Sequence, residues 1–525
     1  MFTLAIKSYF VNIGTWINYD IMNLFQKIYS EVGHGLARGT EGMSKIYFDI
    51  NNYIKMPINN SIFRGYDIRG IYPDDLNENA VYYTTKAFCD LYPHMEKVVL
   101  ARDPRPSSPA LADVARKAIV EAGMEVIDLG IAPDPLWYFS IFHYGYDGGL
   151  MISGSHNPSH HNGLTYHARA KAEVPSEELM GKSLDDLRIL AQKLEAEKTT
   201  GIPSGKVTPF DPSEEYIDYV SSKFKFSRKL KIILDPGNGA CGFLPEKLFK
   251  RLGCDPVTIY GDFDGTFPNH LPDPYNEANR KDLEKKVIEL GADMGFAYDT
   301  DGDRVAIVDN RGRAANGDDA LMILAKDAVS RKIGPVVHCM RASKAFIDEM
   351  HRMGATTYFS VSHHNAIRAK TKEVGAVFGG EVTFHYGFPL DYYLVDDAVF
   401  ASVELAKIAS QQNDFAAYVD SMPHYFTSPE LFVNTPDDIK FMIIGKLQDY
   451  LRAHGYDFID VDGARINYEH GWALARAANT TPIIKCRFEG DSPEALREIE
   501  EKAIAIFKEC GVPITETDYK TLGIE

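Results

Sequence analysis

The chain has 525 residues, 45% of them hydrophobic and 25% charged, with 56 Lys+Arg against 74 Asp+Glu. That length accommodates about three to five domains, and the apolar fraction excludes a disordered chain. A net charge of −18 argues against a nucleic-acid partner, whose phosphates demand a surface excess of Lys and Arg. Cys89, Cys241, Cys254, Cys339, Cys486 and Cys510 form no Cys-x-x-Cys pair and no framework spacing. They predict a reduced, cytoplasmic setting without a zinc or disulfide scaffold. No apolar run reaches the roughly 18 residues that a transmembrane helix needs.

The first sixty residues stand apart. They carry five Lys/Arg and four Asp/Glu, so nearly all the acidity lies downstream. Ile6, Phe10, Ile13, Ile17, Ile21, Leu24 and Ile28 recur at steps of three and four, which predicts one apolar helical face. No charged n-region leads a compact apolar stretch toward a cleavage signal, so this is not a signal peptide. The segment is expected to pack on its own protein or on a twin subunit. The alternative is a membrane surface, for which the polar face lacks a Lys/Arg excess.

From about Ser61 the chain alternates strand and helix patterns. Short branched runs (97–101, 231–235, 305–309) are flanked by helical periodicity such as that at 111–123, predicting α/β layers with largely parallel sheets. Polar segments near 199–212, 310–318 and 424–437 are candidate boundaries. The last stretch, a charged helix, strands and a second helix, predicts a smaller α+β domain.

Two constellations carry chemistry. Ser153-Gly154-Ser155-His156-Asn157-Pro158 follows the apolar strand GGLMIS, at the carboxyl end where α/β proteins place ligands. A serine on such a tight loop can act as a nucleophile or carry a phosphate. Asp299-Thr300-Asp301-Gly302-Asp303-Arg304 sets three carboxylates at alternate positions before an arginine. Crowded like charges repel, so a cation is expected among them, and hard oxygen ligands suit Mg²⁺. Arg304 would then meet a phosphoryl group beside the metal.

These motifs resemble the α-D-phosphohexomutases of phosphomannomutase/phosphoglucomutase type. The serine loop has the family form T/S-x-S-H-N-P and the metal loop the form D-x-D-G-D-R. Gly380-Glu381-Val382-Thr383-Phe384-His385 approximates the sugar loop, and Arg476-Ala477-Ala478-Asn479-Thr480-Thr481-Pro482 the phosphate loop. F-R-x-Y-D-I-R-G is present at 63–70 and F-P-N-H-x-P-D-P at 267–274, in the family's order across residues 61–525.

The resemblance implies three consecutive α/β domains with mixed sheets plus a smaller C-terminal α+β domain, around a central cleft. Their limits are 61–208 (phosphoserine), 209–313 (metal), 314–428 (sugar) and 429–525 (phosphate), with 1–60 outside the match. It implies a mutase exchanging phosphate between C1 and C6 of mannose or glucose, through a phosphoserine and a 1,6-bisphosphate. It implies Mg²⁺ as cofactor and glucose or mannose 1,6-bisphosphate as activator. Ser155 would carry the phosphoryl group and, with Asp299, Asp301 and Asp303, hold the metal. His156, Arg69 and Arg304 would act beside it. Tyr66, Arg341, His364, Glu381, Thr383, His385, Arg476, Asn479, Thr480 and Thr481 would bind the substrate.

The match departs in four places. Thr165 stands where the family has a lysine, a candidate acid/base, leaving His156, His167 or Lys171 to take over. Phe384 replaces a glycine, Ala478 a serine and Arg341 a lysine. An amino-sugar mutase, or a phosphosugar-binding paralogue with impaired catalysis, are the alternatives. Because a dianionic substrate must enter an acidic protein, Arg69, Arg304, Arg341 and Arg476 are expected to converge on one cleft.

Overall fold

The computed structural model describes residues 57–169, 177–478 and 481–524. The amphipathic helix expected over residues 6–28 lies outside the described residues, as do Lys171, Asn479 and Thr480. No described helix is long and apolar enough to cross a membrane.

Four sheets follow one another. β1 (Ile68–Ile71), β2 (Lys97–Arg102), β3 (Glu125–Ile131), β4 (Gly148–Ile152), β5 (His161–Ala168), β6 (Glu177–Glu178) and β7 (Val207–Pro209) form the first. Its order is β1-β5-β4-β2-β3-β7, with β6 on β5. β8 (Lys231–Asp235), β9 (Asp255–Thr258), β10 (Met294–Tyr298) and β11 (Val305–Val308) form the second, in the order β11-β10-β8-β9. The third comprises β12 (Val336–Cys339), β13 (Thr357–Ser360), β14 (Phe378–Gly380) and β15 (Tyr386–Gly387), ordered β13-β12-β14-β15. The branched runs at 97–101, 231–235 and 305–309 are strands, as their composition predicts. Central strands such as β4 and β10 are buried along their whole length, because helices cover both faces.

The three α/β sheets repeat one unit. In each, the first strand pairs in parallel with the second and third, and the fourth returns antiparallel on the third. The unit is β2–β5 in the first sheet, β8–β11 in the second and β12–β15 in the third. The connection from third to fourth strand holds Ser155 in the first, Asp299–Arg304 in the second and Glu381–His385 in the third. A tight return leaves the carboxyl end of a buried parallel strand there, and one repeated geometry delivers three chemically different loops.

The fourth sheet is antiparallel throughout: β16 (Phe426–Thr427), β17 (Leu431–Asn434), β18 (Phe458–Ile459), β19 (Ala464–Tyr468), β20 (Gly471–Ala477) and β21 (Ile483–Gly490). Helices Asp437–Ala453 and Pro493–Glu509 cover one face, burying Ile443, Leu447, Ala503 and Phe507 against Ala475, Cys486 and Phe488. This is the smaller α+β unit expected from the sequence. The first sheet ends on β7 at Pro209 and the fourth begins on β16 at Phe426.

Candidate active site

The serine loop is held by its backbone. Ser155 has φ +46, a left-handed conformation costly for a side-chain-bearing residue, and is 2% exposed. Arg105, fully buried and paired with Asp103 at 2.8 Å, donates to the carbonyls of Ser155, Asn157 and Pro158. The Asp103 carboxylate accepts the Gly154 N–H at 3.1 Å. A Cβ on Gly154 would lie 2.6 Å from Arg105 Cζ, so only glycine lets the guanidinium this close. The Ser155 N–H donates to Ser153 Oγ at 2.8 Å, and that hydroxyl donates to Asp301 Oδ2 at 2.7 Å. The loop is thereby tied to the second sheet.

Across the loop boundary, Ser155 Oγ donates to Asp299 Oδ2 at 3.2 Å and lies 3.2 Å from His156 Nδ1. Asp299 Oδ1 accepts three backbone N–H groups, from Gly302, Asp303 and Arg304, at 3.1–3.2 Å, which curls the loop around its own carboxylate. Asp299, Asp301 and Asp303 bring ligand oxygens within 4.8 Å of one another. Oδ1 of Asp301 and of Asp303 are buried without a hydrogen-bond partner. Burial, reinforced by Asp303 and Asp301, drives the Asp299 carboxyl well above its ordinary pKa, and burial with Asp301 raises Asp303 to about 6. Orphaned, mutually repelling buried carboxylates are the donor set of a hard divalent cation, and Mg²⁺ fits these residues.

The first and third sheets supply the flanks. Arg69, on β1, pairs with Asp67 and donates to the Gly154 carbonyl at 3.3 Å. Arg304 Nε donates to His385 Nε2 at 2.8 Å and lies 3.8 Å from both Asp299 and Asp303. Burial, then Arg304, pushes His385 well below its usual pKa. His364 stacks on His385 with ring centroids 4.9 Å apart, and shares a 2.9 Å hydrogen bond with Asp396. Burial alone would lower His364, but that carboxylate raises it. Tyr66 stacks on His363 at 4.2 Å, joining the first unit to the third. Glu381 is buried beside His385, its Oε1 3.8 Å from Nε2, and Thr383 is half-buried on the same loop.

Arg69 and Arg304 stand at the serine and metal loops, while Arg341, Arg476 and Arg304 are the cations around Lys485. Arg341 is buried, with Nη1 3.4 Å from Glu430. The C-terminal sheet pins its backbone: Arg465 donates to the carbonyls of Met340 and Ala342 at 2.6 and 2.8 Å, and Arg487 to that of Arg341 at 2.8 Å. Arg476, at the end of β20, has Nε 3.2 Å from Asp462. Thr481 is exposed, and its carbonyl accepts from Lys440 at 2.8 Å. The charges of Arg304, Arg69, Arg105 and Lys485 all depress His156, after burial. His156 is therefore neutral near neutral pH.

Of the two described replacements for the missing lysine, His156 and His167, His156 is the one brought to Ser155. His167 packs edge-on to Trp137, Tyr138 and Phe142, and burial lowers it to about 4. Thr165 lies on β5 opposite Met151. Sequence reasoning missed Arg105, Asp103, Asp396, Glu430, Lys485 and Arg487. The Asp103-x-Arg105 spacing was a usable signal; the others acquire meaning only through strand pairing.

Comparison with known proteins agrees with this geometry. Residues 60–180, 214–312 and 316–425 match phosphoglucomutase/phosphomannomutase alpha/beta/alpha domains I, II and III, and residues 433–506 match the C-terminal domain. The chain is 33% identical over 449 residues to the phosphomannomutase/phosphoglucomutase of Pseudomonas putida, covering 84% of this chain and 94% of that one. It is 30% identical over 455 residues to a phosphoglucomutase of Neisseria meningitidis, covering 85% and 96%. A phosphoglucomutase/phosphomannomutase family protein of Burkholderia thailandensis superposes with a TM-score of 0.79 at 30% identity, covering 87% of this chain and 99% of that structure. The chain is thus an enzyme of the phosphoglucomutase/phosphomannomutase family, whose members transfer phosphate within a sugar.

Proposed function

We propose that the protein interconverts the 1- and 6-phosphates of mannose or glucose through a phosphoserine at Ser155 and a hexose 1,6-bisphosphate. The observation that carries this reading is Ser155 Oγ 3.2 Å from Asp299, together with a second group of cations, Arg341 and Arg476, gathered around Lys485. One end of the cleft suits a phosphoryl carrier and the other a phosphate that does not react. The segments 61–208, 209–313, 314–428 and 429–525 each contribute one loop.

Asp299, Asp301, Asp303 and the Ser155 phosphoryl group would hold Mg²⁺, which supplies charge neutralisation at the transferring phosphate. The phosphoryl group leaves Ser155 Oγ for the free sugar hydroxyl: the serine O–P bond breaks and a sugar O–P bond forms. The hydroxyl proton passes to neutral His156 Nδ1 and returns to Ser155 Oγ, so charge balances. Arg304, held against His385, and Arg69 offset the negative charge spread over the transferring oxygens. Glu381 and Thr383 read sugar hydroxyls; Tyr66, His364 and His385 line the same wall. Arg341, Arg476, Asn479, Thr480 and Thr481 grip the other phosphate. The bisphosphate then reorients and returns its second phosphate to Ser155. Glucose or mannose 1,6-bisphosphate primes an unphosphorylated enzyme. Six unpaired, buried cysteines support a reducing cytoplasmic setting.

The test is conversion of glucose 1-phosphate or mannose 1-phosphate to the 6-phosphate with Mg²⁺ and catalytic bisphosphate. Turnover is expected with at least one hexose. Tight binding without turnover of any hexose phosphate contradicts the reading.

A further inference from the structure

β21 carries a cation outside every motif of the cleft. Its residues Ile484, Cys486 and Phe488 are buried in the C-terminal core beside Ala473, Ala475 and Ala477 of β20. The alternate residues therefore share the opposite face, where Trp472 and Leu474 pack on Met340. Lys485 and Arg487 lie on that face, and Arg487 is anchored by the Arg341 carbonyl and by Asp318 at 2.7 Å. In the ladder Lys485 stands directly opposite Arg476 on one side and Phe432 on the other, its ammonium 5.3 Å from the Phe432 ring.

Like charges directly opposite each other on one face of a sheet are destabilising. Each nearby carboxylate already has an arginine partner, and only Glu430 Oε2 is left buried without a hydrogen bond. Asp462 lies 3.2 Å from Arg476, and Glu430, the acidic group offsetting Lys485, lies 3.4 Å from Arg341. Burial, with Arg341, Arg476 and Arg304 around it, lowers the Lys485 ammonium to about 8. An anion bound between the two strands would relieve that repulsion. Arg304, 3.8 Å from Asp299 in the metal loop, is also among the charges that act on Lys485.

We propose that Lys485 is a substrate-binding residue that grips the non-reacting phosphate dianion of the hexose phosphate jointly with Arg476. The proposal rests on the mutase reading above. It assigns to the third residue beyond Pro482 a role that the phosphate loop alone does not supply, and it explains why a lysine stands directly opposite Arg476 in the ladder. A point-like ammonium opposite a guanidinium gives the dianion two donors of different geometry, one adjustable and one planar.

Calorimetric titration of glucose 6-phosphate and mannose 6-phosphate into the full-length protein tests this without relying on turnover. Loss of a charged hydrogen bond predicts about tenfold or greater weakening in Lys485→Met, with Lys485→Arg retaining most of the affinity. Raising the pH from about 7 to about 9.5 should weaken binding to the wild type more than to Lys485→Arg, whose guanidinium stays charged. The pH comparison remains decisive if Lys485→Met does not fold. Unchanged affinity in Lys485→Met, or the same pH loss in Lys485→Arg as in wild type, overturns the proposal. Binding of the expected kind without turnover supports Lys485 and sinks the mutase reading instead. Normal turnover with unaltered binding in Lys485→Met sinks only Lys485, and a wild type that binds neither sugar phosphate sinks both.

Discussion

Ser155 Oγ and Asp299 Oδ2 lie 3.2 Å apart although 144 residues separate them in the chain. Both sit on the same connection of a repeated unit, the return from the third strand to the fourth. The first sheet delivers a hydroxyl and the second a carboxylate to one point. The proximity thus depends on how the units are tied, through Ser153 to Asp301 at 2.7 Å and through the backbone bond from Asp134 N–H to the Asp301 carbonyl at 2.7 Å.

The carboxylate cluster predicts a pH-dependent response to metal. Asp303 holds its proton up to about 6 in the folded protein, against about 3.9 for an unfolded aspartate. The folded state therefore binds more protons between these values, and the cluster's contribution to stability falls as pH rises through about 6. A cation removes the repulsion that causes this loss. The gain in Tm on adding Mg²⁺ to metal-stripped protein should grow from about pH 5 to about pH 7.5. It should shrink sharply in Asp303→Asn. A Tm indifferent to Mg²⁺ across that range would falsify the assignment of the metal to these residues.

His156 offers a second test. With Thr165 in place of a lysine, the ring 3.2 Å from Ser155 Oγ is the group proposed to handle the proton. His156→Ala should lower kcat by about 10²-fold or more, the usual contribution of general acid–base catalysis, with smaller change in KM. Thr165→Lys should raise kcat and partly rescue His156→Ala. Steady-state kinetics on the single and double variants give the answer; an active His156→Ala removes the histidine from the mechanism.

The serine loop should be sensitive to a single methyl group. Gly154→Ala sets a Cβ against Arg105, which holds three carbonyls of the loop. Overpacking a buried site of this kind costs about 1–3 kcal/mol. Urea unfolding should register that loss, and phosphorylation of Ser155 should fall with it. A variant of unchanged stability and phosphate content would show the Arg105 clamp to be dispensable.

Much of this architecture was legible in the residues. Branched runs between turn-forming residues marked β2, β8 and β11, and the crowded aspartates pointed to the acidic cluster that the fold gathers. The threefold repeat was not legible, because it resides in strand order: S-G-S-H-N-P, D-T-D-G-D-R and E-V-T-F-H share no pattern. Arg105 reads as a surface charge until Asp103 and the loop carbonyls surround it. Lys485 acquires its meaning from Arg476 across the ladder, and Asp396 from His364, neither of which spacing along the chain can reveal.

The central claim is that Ser155 carries a phosphoryl group that passes to and from the sugar. Its most direct test is label exchange: protein bearing radiolabelled phosphate is mixed with excess unlabelled hexose 1-phosphate and Mg²⁺, and the label is followed. The account predicts that label moves into hexose phosphate while the protein keeps a phosphate on Ser155, and that Ser155→Ala takes up none. Release of the label as inorganic phosphate, or its retention on the protein, would contradict it.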